Sequence, residues 1–156
     1  MDKNKAIISY LNNCTEIATN PLFFNYADVK DNTKQLVTTS VDKALEPEYL
    51  DGSILKRYTF TIIDFRSVIY QALVADQTAY PNENVENMMD VQSIIDWIET
   101  QNKSRIFPNF GSDCIVEKIE ALTDTPTLNG VDSNNVAKYS ISIAVTYLDT
   151  SGRIWG

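Results

Sequence analysis

The sequence predicts an α+β fold: an antiparallel sheet of about four strands with two helices packed on one face, in the order α-β-β-α-β-β. Segments in which apolar and polar residues alternate indicate the strands, and two segments with apolar residues three or four positions apart indicate amphipathic helices. The chain has 156 residues, of which 44% are apolar and 22% charged, as in globular proteins. We therefore expect a single domain over residues 1–156.

The first helix is expected over residues 2–17. Asp2 has a side chain suited to capping its N-terminus, and Pro21 lies beyond its end. Its apolar residues lie near one face, and they are Ile7, Leu11 and Cys14, with Ile8 beside them. Residues 22–32, which are first apolar and then polar, are expected to form a loop or a short extended segment.

Two strands are expected next. Residues 35–41, QLVTTSV, are rich in β-branched side chains, which favour strands. A turn at Asp51-Gly52 then leads into ILKRYTFTIIDF, where large apolar residues alternate with polar ones. The inner row of this second strand is expected to consist of Tyr58, Phe60 and Ile62.

The regular alternation of this strand stops at Ile63. Ile62 and Ile63 are both apolar, and Phe65 falls on the face opposite to the inner row. This irregularity predicts either a β-bulge near Ile63 or Asp64 or the burial of both faces of the strand at that point.

The middle of the chain combines an irregular arm with the best-defined helix. Residues 68–82 show no clear period, and we expect them to form a variable arm. The second helix is expected over residues 84–101. Its apolar stripe is formed by Met88, Val91, Ile95 and Ile98, with Trp97 on the flank.

The last third of the chain predicts two further strands separated by a turn-rich segment. Residues 112–122 are expected to form one strand, and residues 123–135, TDTPTLNGVDSNN, a turn cluster. The final strand has the clearest alternation in the chain. Its inner row is formed by Tyr139, Ile141, Ile143, Val145 and Tyr147.

The charge and composition argue against several classes of function. A net charge of −8 disfavours tight binding to nucleic acid and to anionic membranes. The absence of histidine removes the commonest general base and the commonest metal ligand. Cys14 and Cys114 lie in no metal-binding or redox motif and are expected to be reduced and mostly buried. No export signal or membrane-spanning run is recognised.

No catalytic, cofactor or metal site is predicted. The acidic residues of the second helix, such as Asp90 and Asp96, lie off its apolar stripe and are interpreted as a solvated face. Residues 124–135 contain several oxygen ligands but not the order of a calcium-binding loop. Nucleophile motifs and glycine-rich phosphate loops are absent from the sequence.

Several apolar residues fall outside the predicted core rows and are candidates for an assembly interface. They either fold back on their own domain or contact another protomer, where aromatic anchors are common. The candidates are Phe65, Phe107, Phe110, Ile154 and Trp155.

An ordered set of landmarks resembles the tail terminator, or tail-completion, proteins of tailed bacteriophages and of phage-like particles of Gram-positive bacteria. The set begins with YLDGSILKRYTFTIIDFRS and continues with NVENMMDVQSIIDWIETQN, a helix with a late tryptophan. RIFPNFGSDCIVEKIEAL and the final strand AKYSISIAVTYLD complete it. The resemblance covers residues 3–149, apart from the arm at 68–82.

The resemblance implies an α+β protomer of a hexameric ring without catalytic activity or cofactors. Such a ring caps the tail tube protein, ends tail polymerisation and joins the tail to the head–tail connector protein. In contractile tails it also meets the sheath protein, and DNA passes through its lumen without specific binding. The expected location is the tail or neck of a virion, prophage particle or tailocin assembled in the bacterial cytoplasm.

Two other interpretations of the sequence stay open. The chain could be another neck component, such as a stopper or adaptor, because these proteins also join head and tail. It could also be a non-viral α+β module that binds a ligand as a monomer or dimer.

Overall fold

The computed structural model describes residues 2–18, 22–24, 33–67, 81–131 and 136–154. The elements run in the order α-α-β-β-β-α-β-β-β. The helices are α1 (Lys3–Leu11), α2 (Thr15–Ala18) and α3 (Pro81–Lys103). The strands are β1 (Leu22–Phe24), β2 (Thr33–Ala44), β3 (Ile54–Ser67), β4 (Cys114–Ala121), β5 (Thr127–Val131) and β6 (Val136–Asp149).

The centre of the sheet is the long antiparallel pair of β3 and β6. Their register runs without a break from Ile54 opposite Asp149 to Ser67 opposite Val136. The sheet order is β1-β2-β3-β6-β4, with β1 parallel to β2 and the other pairs antiparallel. On its other edge β6 pairs with β4 along its C-terminal half and with β5 along its N-terminal half.

The predicted sheet of four strands with two helices in the order α-β-β-α-β-β is wrong. The described part of the chain contains six strands and three helices. β1 lies in the segment expected to be a loop or a short extended segment, and β5 lies in the expected turn cluster. Such short segments become strands by pairing with β2 and β6, which their own sequence does not reveal. The predicted first helix is divided because the amides of Asn13 and Cys14 bond three residues back, to Tyr10 and Leu11.

The main core lies between the inner rows of the sheet and the helices. The predicted inner rows of β3 and β6 are buried, and all three helices contribute to the same apolar cluster. In α3 the predicted stripe is partly wrong, because Met88 is 40% exposed whereas Ile94 is fully buried. The helical contributors are Ile7, Tyr10, Leu11, Ile17, Val91, Ile94, Ile95 and Ile98.

The irregular stretch around Ile63 contains no β-bulge. β3 stays in register with β6 throughout, and the bulges of this region lie in β2, on either side of Ser40. Both faces of the strand are buried at this point, which was the other prediction, because Asp64 and Phe65 point to opposite faces and are both buried.

The predicted arm at residues 68–82 falls mostly outside the described residues, and its last two positions begin α3. At the other end of α3, the Asn102 side chain reaches strand β4. Its Oδ1 accepts a hydrogen bond from the backbone amide of Ile119 at 3.0 Å. This contact joins the helix directly to the outermost strand on that side of the sheet.

No helix among the described residues is long and apolar enough to cross a membrane.

Candidate assembly surface and buried charge cluster

The five predicted interface residues lie in different environments. Phe65 is 2% exposed and Phe110 is buried, whereas Phe107 is half-buried. Ile154 is 72% exposed, and Trp155 lies outside the described residues. The structure therefore leaves Ile154 as the most accessible of the four that it describes.

Phe110 folds back on its own domain. Its ring lies 5.7 Å from that of Tyr58 in a tilted arrangement and 5.3 Å from that of Tyr147 in an edge-to-face arrangement. Such geometries are favourable for aromatic pairs and add to the stability that burial provides. Phe110 therefore closes the core at the end of the inner rows of β3 and β6.

Phe65 is buried within a single chain, on the face of β3 opposite to the main core. An aspartate at this position would bury an unpaired charge. We therefore expect Phe65→Asp to impair folding of the protomer itself and not only its assembly.

Ile154 is held firmly although its side chain is exposed. Its backbone amide donates a hydrogen bond to the carbonyl oxygen of Asp51 at 2.8 Å. Arg153 Nε donates to Asp51 Oδ2 at 3.1 Å, and Asp51 Oδ1 also accepts bonds from the amide and hydroxyl of Ser53. The C-terminal segment is thereby joined to the turn that precedes β3.

The same turn presents Leu50, whose side chain is 98% exposed. Gly52 follows with φ at +89°, and a Cβ there would lie 2.0 Å from the carbonyl oxygen of Gly152. Two glycines thus allow the turn and the C-terminal segment to approach closely. We call Leu50 and Ile154 together the apolar knob, because both are exposed where the C-terminal segment is bonded to this turn.

A groove of about 440 Å³ lies between α1 and the segment that follows α3. Tyr10 fixes its shape, because its hydroxyl donates to the carbonyl oxygen of Ile106 at 2.7 Å and its ring packs 5.1 Å from that of Trp97. Burial raises the pKa of Tyr10, which keeps the phenol protonated. We call this cavity the α1 groove, and its apolar lining consists of Ala6, Tyr10, Phe107 and Pro108.

A buried charge cluster, which we define as Glu16, Lys34, Asp64, Arg66 and Asp90, links α2, β2, β3 and α3. Arg66 donates to Asp64 through Nε at 2.8 Å and through Nη2 at 3.2 Å. Its Nη2 also bonds Glu16, and its Nη1 lies 3.3 Å from Asp90 Oδ2. The guanidinium is therefore paired with carboxylates from three elements.

Lys34 is the least satisfied member of the charge cluster. Its side chain is 0% exposed, and Nζ lies 3.7 Å from Asp64 Oδ2 and 3.9 Å from Glu16 Oε1. Both distances allow ion pairing but exceed hydrogen-bond length, and Nζ has no hydrogen-bond partner among the described residues. Burial lowers the pKa of Lys34, while the charge of Asp64 acts to raise it.

Arg66 responds differently to the same surroundings. Burial acts to lower its pKa, but the hydrogen bonds and charges of Asp64 and Glu16 outweigh that effect and raise it. Arg66 is therefore held firmly protonated, whereas burial disfavours the protonated form of Lys34. Its members contact each other closely, which suits it to fixing the packing of four elements.

The charge cluster was not predicted from the sequence, because charged residues were interpreted as exposed to solvent. The signal was present, since Asp64 and Arg66 continue the inner row of β3 two and four positions after Ile62. Asp90, interpreted as part of a solvated face, is half-exposed and pairs with Arg66. No catalytic carboxylate pair had been predicted there.

A second polar network lies near the opposite end of the inner row of β6. The Tyr147 hydroxyl donates to Asp42, and Lys3 Nζ lies 3.4 Å from Asp42 Oδ1 and over the Tyr147 ring. Lys56 Nζ donates to Asp149 Oδ2 at 2.8 Å. Burial acts to raise the pKa of Asp149, but hydrogen bonds from Lys56 and Ser151 lower it to about 2.

Both cysteines are free thiols in the structure. Cys14 is buried in the core and Cys114 is half-buried at the start of β4. Burial raises the pKa of both thiols, which lowers their reactivity as nucleophiles. Among the described residues, no group of three or more cysteine and acidic side chains is arranged to hold a metal ion.

Comparisons with known proteins add nothing to the fold and these surfaces from which the function is inferred. No protein-family model matches the sequence, and no curated protein matches it either.

Proposed function

We propose that this chain is a tail terminator subunit that caps a tail tube as a ring, ends tail polymerisation and forms the surface to which the head connector binds. Its partners are further copies of itself, the tube protein, the connector protein and, in a contractile tail, the sheath protein. Its location is the tail or neck of a phage or phage-like particle. Its action is geometric, since a capped end offers no site for another tube subunit.

One observation carries the proposal: segments that carry the resemblance meet in the core. Phe110 of the P-x-F-G segment packs against Tyr58 of the strand that follows the DGS turn and against Tyr147 of the final strand. Trp97 of the α3 landmark packs on Tyr10. The landmarks therefore contribute to one packed core, as the resemblance implies.

The charge of the chain is consistent with a DNA passage. Six copies at −8 each carry a formal charge of −48 around a ring. A lumen lined by acidic residues repels the DNA backbone, so DNA slides through without binding. A basic or neutral lumen in a structure of the assembled ring would contradict this part of the proposal.

The function is tested by electron microscopy of particles made without this chain. Loss of a terminator leaves tube growth unchecked, and we expect overlong tails of variable length. Restoring the chain should return a uniform tail length. Tails of normal length that fail to join heads would contradict the proposal and support a stopper or adaptor instead.

A purified system separates the terminator from a ligand-binding module. Tube protein is polymerised with and without the chain, and tube length is measured by negative-stain microscopy. We expect the chain to shorten the tubes in proportion to its concentration and to be found at tube ends. Unchanged tube length and no end binding would contradict the proposal.

A further inference from the structure

The sequence contains one Asn-Gly pair and one Asp-Gly pair, which lie in contrasting surroundings. They are Asn129-Gly130 in β5 and Asp51-Gly52 in the turn before β3. In such pairs the backbone nitrogen of glycine can attack the side-chain carbonyl carbon of the residue before it, because glycine has no Cβ to obstruct the approach. In a folded chain, the reaction depends on how tightly both residues are held.

The Asp51-Gly52 pair is held tightly. The Asp51 carboxylate accepts hydrogen bonds from the amide and hydroxyl of Ser53 and from Arg153 Nε. The bonds from Ser53 and the charge of Arg153 lower the pKa of Asp51, so the carboxylate stays ionised and reacts poorly with a nucleophile. Gly52 is buried, and its amide donates to the carbonyl oxygen of Tyr49 at 2.9 Å. Both reacting groups of this pair are therefore occupied.

The Asn129-Gly130 pair lies open to solvent. Both residues are exposed, and nothing lies within 4 Å of the position that a Cβ on Gly130 would take. The register of β5 against β6 shifts between Leu128 and Val131, so the pair interrupts the regular ladder. The backbone at this point therefore lacks the close packing that holds Gly52.

The Asn129 side chain is bonded through its nitrogen and not through the group that would be attacked. Nδ2 donates a hydrogen bond to Ser140 Oγ at 2.7 Å on the protein surface. This bond leaves the carbonyl carbon of the side chain uncovered. A single exposed hydrogen bond exchanges readily with water, so the side chain is able to turn towards the Gly130 nitrogen.

We propose that Asn129 is a site of spontaneous deamidation through a cyclic imide formed with Gly130. The Gly130 amide gives its proton to hydroxide, and its nitrogen forms a bond to Asn129 Cγ. The bond from Cγ to Nδ2 breaks, and Nδ2 leaves as ammonia with a proton taken from water. A second water molecule then opens the imide. Opening at Cγ gives aspartate, whereas opening at the main-chain carbonyl carbon gives isoaspartate.

The reaction changes β5 in two ways. Either product adds a negative charge, and isoaspartate also lengthens the main chain by one carbon atom. β5 pairs with β6 through residues on both sides of Asn129, namely Thr127 and Leu128 before it and Val131 after it. A longer main chain between these pairs alters their register, which weakens the attachment of β5. This inference does not rest on the proposed function.

Peptide mapping by mass spectrometry tests the site. The purified protein is kept in mildly alkaline buffer at physiological temperature and sampled over time. We expect a mass gain of about 1 Da that fragmentation assigns to Asn129 and not to other asparagines of the same peptide. The gain should be faster at higher pH, because the Gly130 amide must lose its proton. A rate that does not depend on pH would contradict the imide route.

Two variants separate the imide route from direct hydrolysis of the side-chain amide. Asn129→Gln should show no gain, because its longer side chain would have to close a larger ring. Gly130→Ala should slow the gain about 10-fold or more, because its Cβ obstructs the attack. Direct hydrolysis would proceed in both variants at the rate of the parent protein, and that result would overturn the inference.

The denatured chain shows how far the fold protects each pair. In the native protein we expect Asn129 to react within about 10-fold of its rate in denaturant, or ~1.4 kcal/mol in activation free energy. Isoaspartate at Asp51 should form in denaturant but not in the native protein. An unmodified Asn129 in native protein, over a time in which the denatured chain is converted, would overturn the inference.

Hydrogen exchange tests the effect on β5. The aged protein should exchange the amides of β5 faster than Asn129→Asp, which carries the same added charge on a main chain of normal length. Equal exchange in the two samples would contradict the weakened attachment of β5.

Discussion

Asp64 and Arg66, two residues apart on β3, form a double hydrogen bond inside the protein, with Nε to Oδ1 at 2.8 Å and Nη2 to Oδ2 at 3.2 Å. Side chains two positions apart on a strand share a face. The apolar inner row of β3 therefore continues as a charged row on the same face of the sheet. Lys34 lies opposite Asp64 on β2 and adds a second cation.

Removing Asp64 should destabilise the protein strongly. Asp64→Leu leaves Arg66 and Lys34 buried without their shared carboxylate, and we expect the free energy of unfolding to fall by about 3–5 kcal/mol. Urea denaturation followed by circular dichroism measures the change. Replacing all three together, with Lys34→Met and Arg66→Met, should recover most of the loss. A triple variant as unstable as the single one would contradict this account.

Lys34→Met should stabilise the protein near neutral pH. Burial holds the pKa of Lys34 in the folded state below its ordinary value of 10.5, so the unfolded chain binds the proton more tightly. The resulting destabilisation is complete below the folded-state pKa and fades as the pH rises towards 10.5. Unfolding measured at several pH values should therefore show the advantage of the variant shrinking in alkaline solution. A constant difference would refute the assignment.

Asp149→Asn should lower stability at neutral pH but not in strong acid. The folded-state pKa of Asp149 is about 2, below its ordinary value of 3.8, so its stabilising effect is present above pH 3.8 and lost as the pH falls towards 2. We expect a loss of about 2 kcal/mol at pH 7. The pH dependence of the unfolding free energy checks this. A loss of the same size at every pH would contradict this assignment.

Gly52→Ala should be more costly than Gly130→Ala. Both positions have positive φ, at +89° and +124°, so alanine strains the backbone at each. Only at Gly52 does the added Cβ also meet backbone, the carbonyl oxygen of Gly152 at 2.0 Å, whereas nothing lies within 4 Å at Gly130. We expect about 1 kcal/mol at Gly130 and clearly more at Gly52 in thermal unfolding. Equal losses would show that the close approach is unimportant.

Ile94→Ala and Met88→Ala distinguish the observed stripe of α3 from the one expected from the sequence. Ile94 is fully buried, so its truncation should cost about 2–5 kcal/mol, while Met88, which is 40% exposed, should cost less than about 1 kcal/mol. Chemical denaturation of both variants gives the comparison. A larger loss at Met88 would favour the sequence-based stripe.

The sequence predicted the elements that have their own strong pattern. The inner row of β6 and the Tyr58–Phe60–Ile62 row of β3 were correct because a period of two is set by the chain itself. β1 and β5 were missed because three and five residues give too short a pattern, and their strand conformation depends on pairing with neighbours.

The candidate surfaces were predictable only in part. Ile154 was selected from the sequence and is exposed, whereas Phe110 was selected as well and lies in the core. Leu50 was not selected, and the structure leaves its side chain 98% exposed. The burial of Asp64 and Arg66 was predictable from their place in the inner row of β3, whereas their partners on three other elements were not.

The hydrogen bond from the Ile119 amide to Asn102 has a consequence for the protein at high concentration. Exposed strand edges recruit other strands, and subunits made in many copies risk forming fibres before they reach their target. At Ile119 the donor that an incoming strand would need is already occupied by a side chain of α3. The edge of β4 is thereby less suited, at Ile119, to the addition of a strand from another chain.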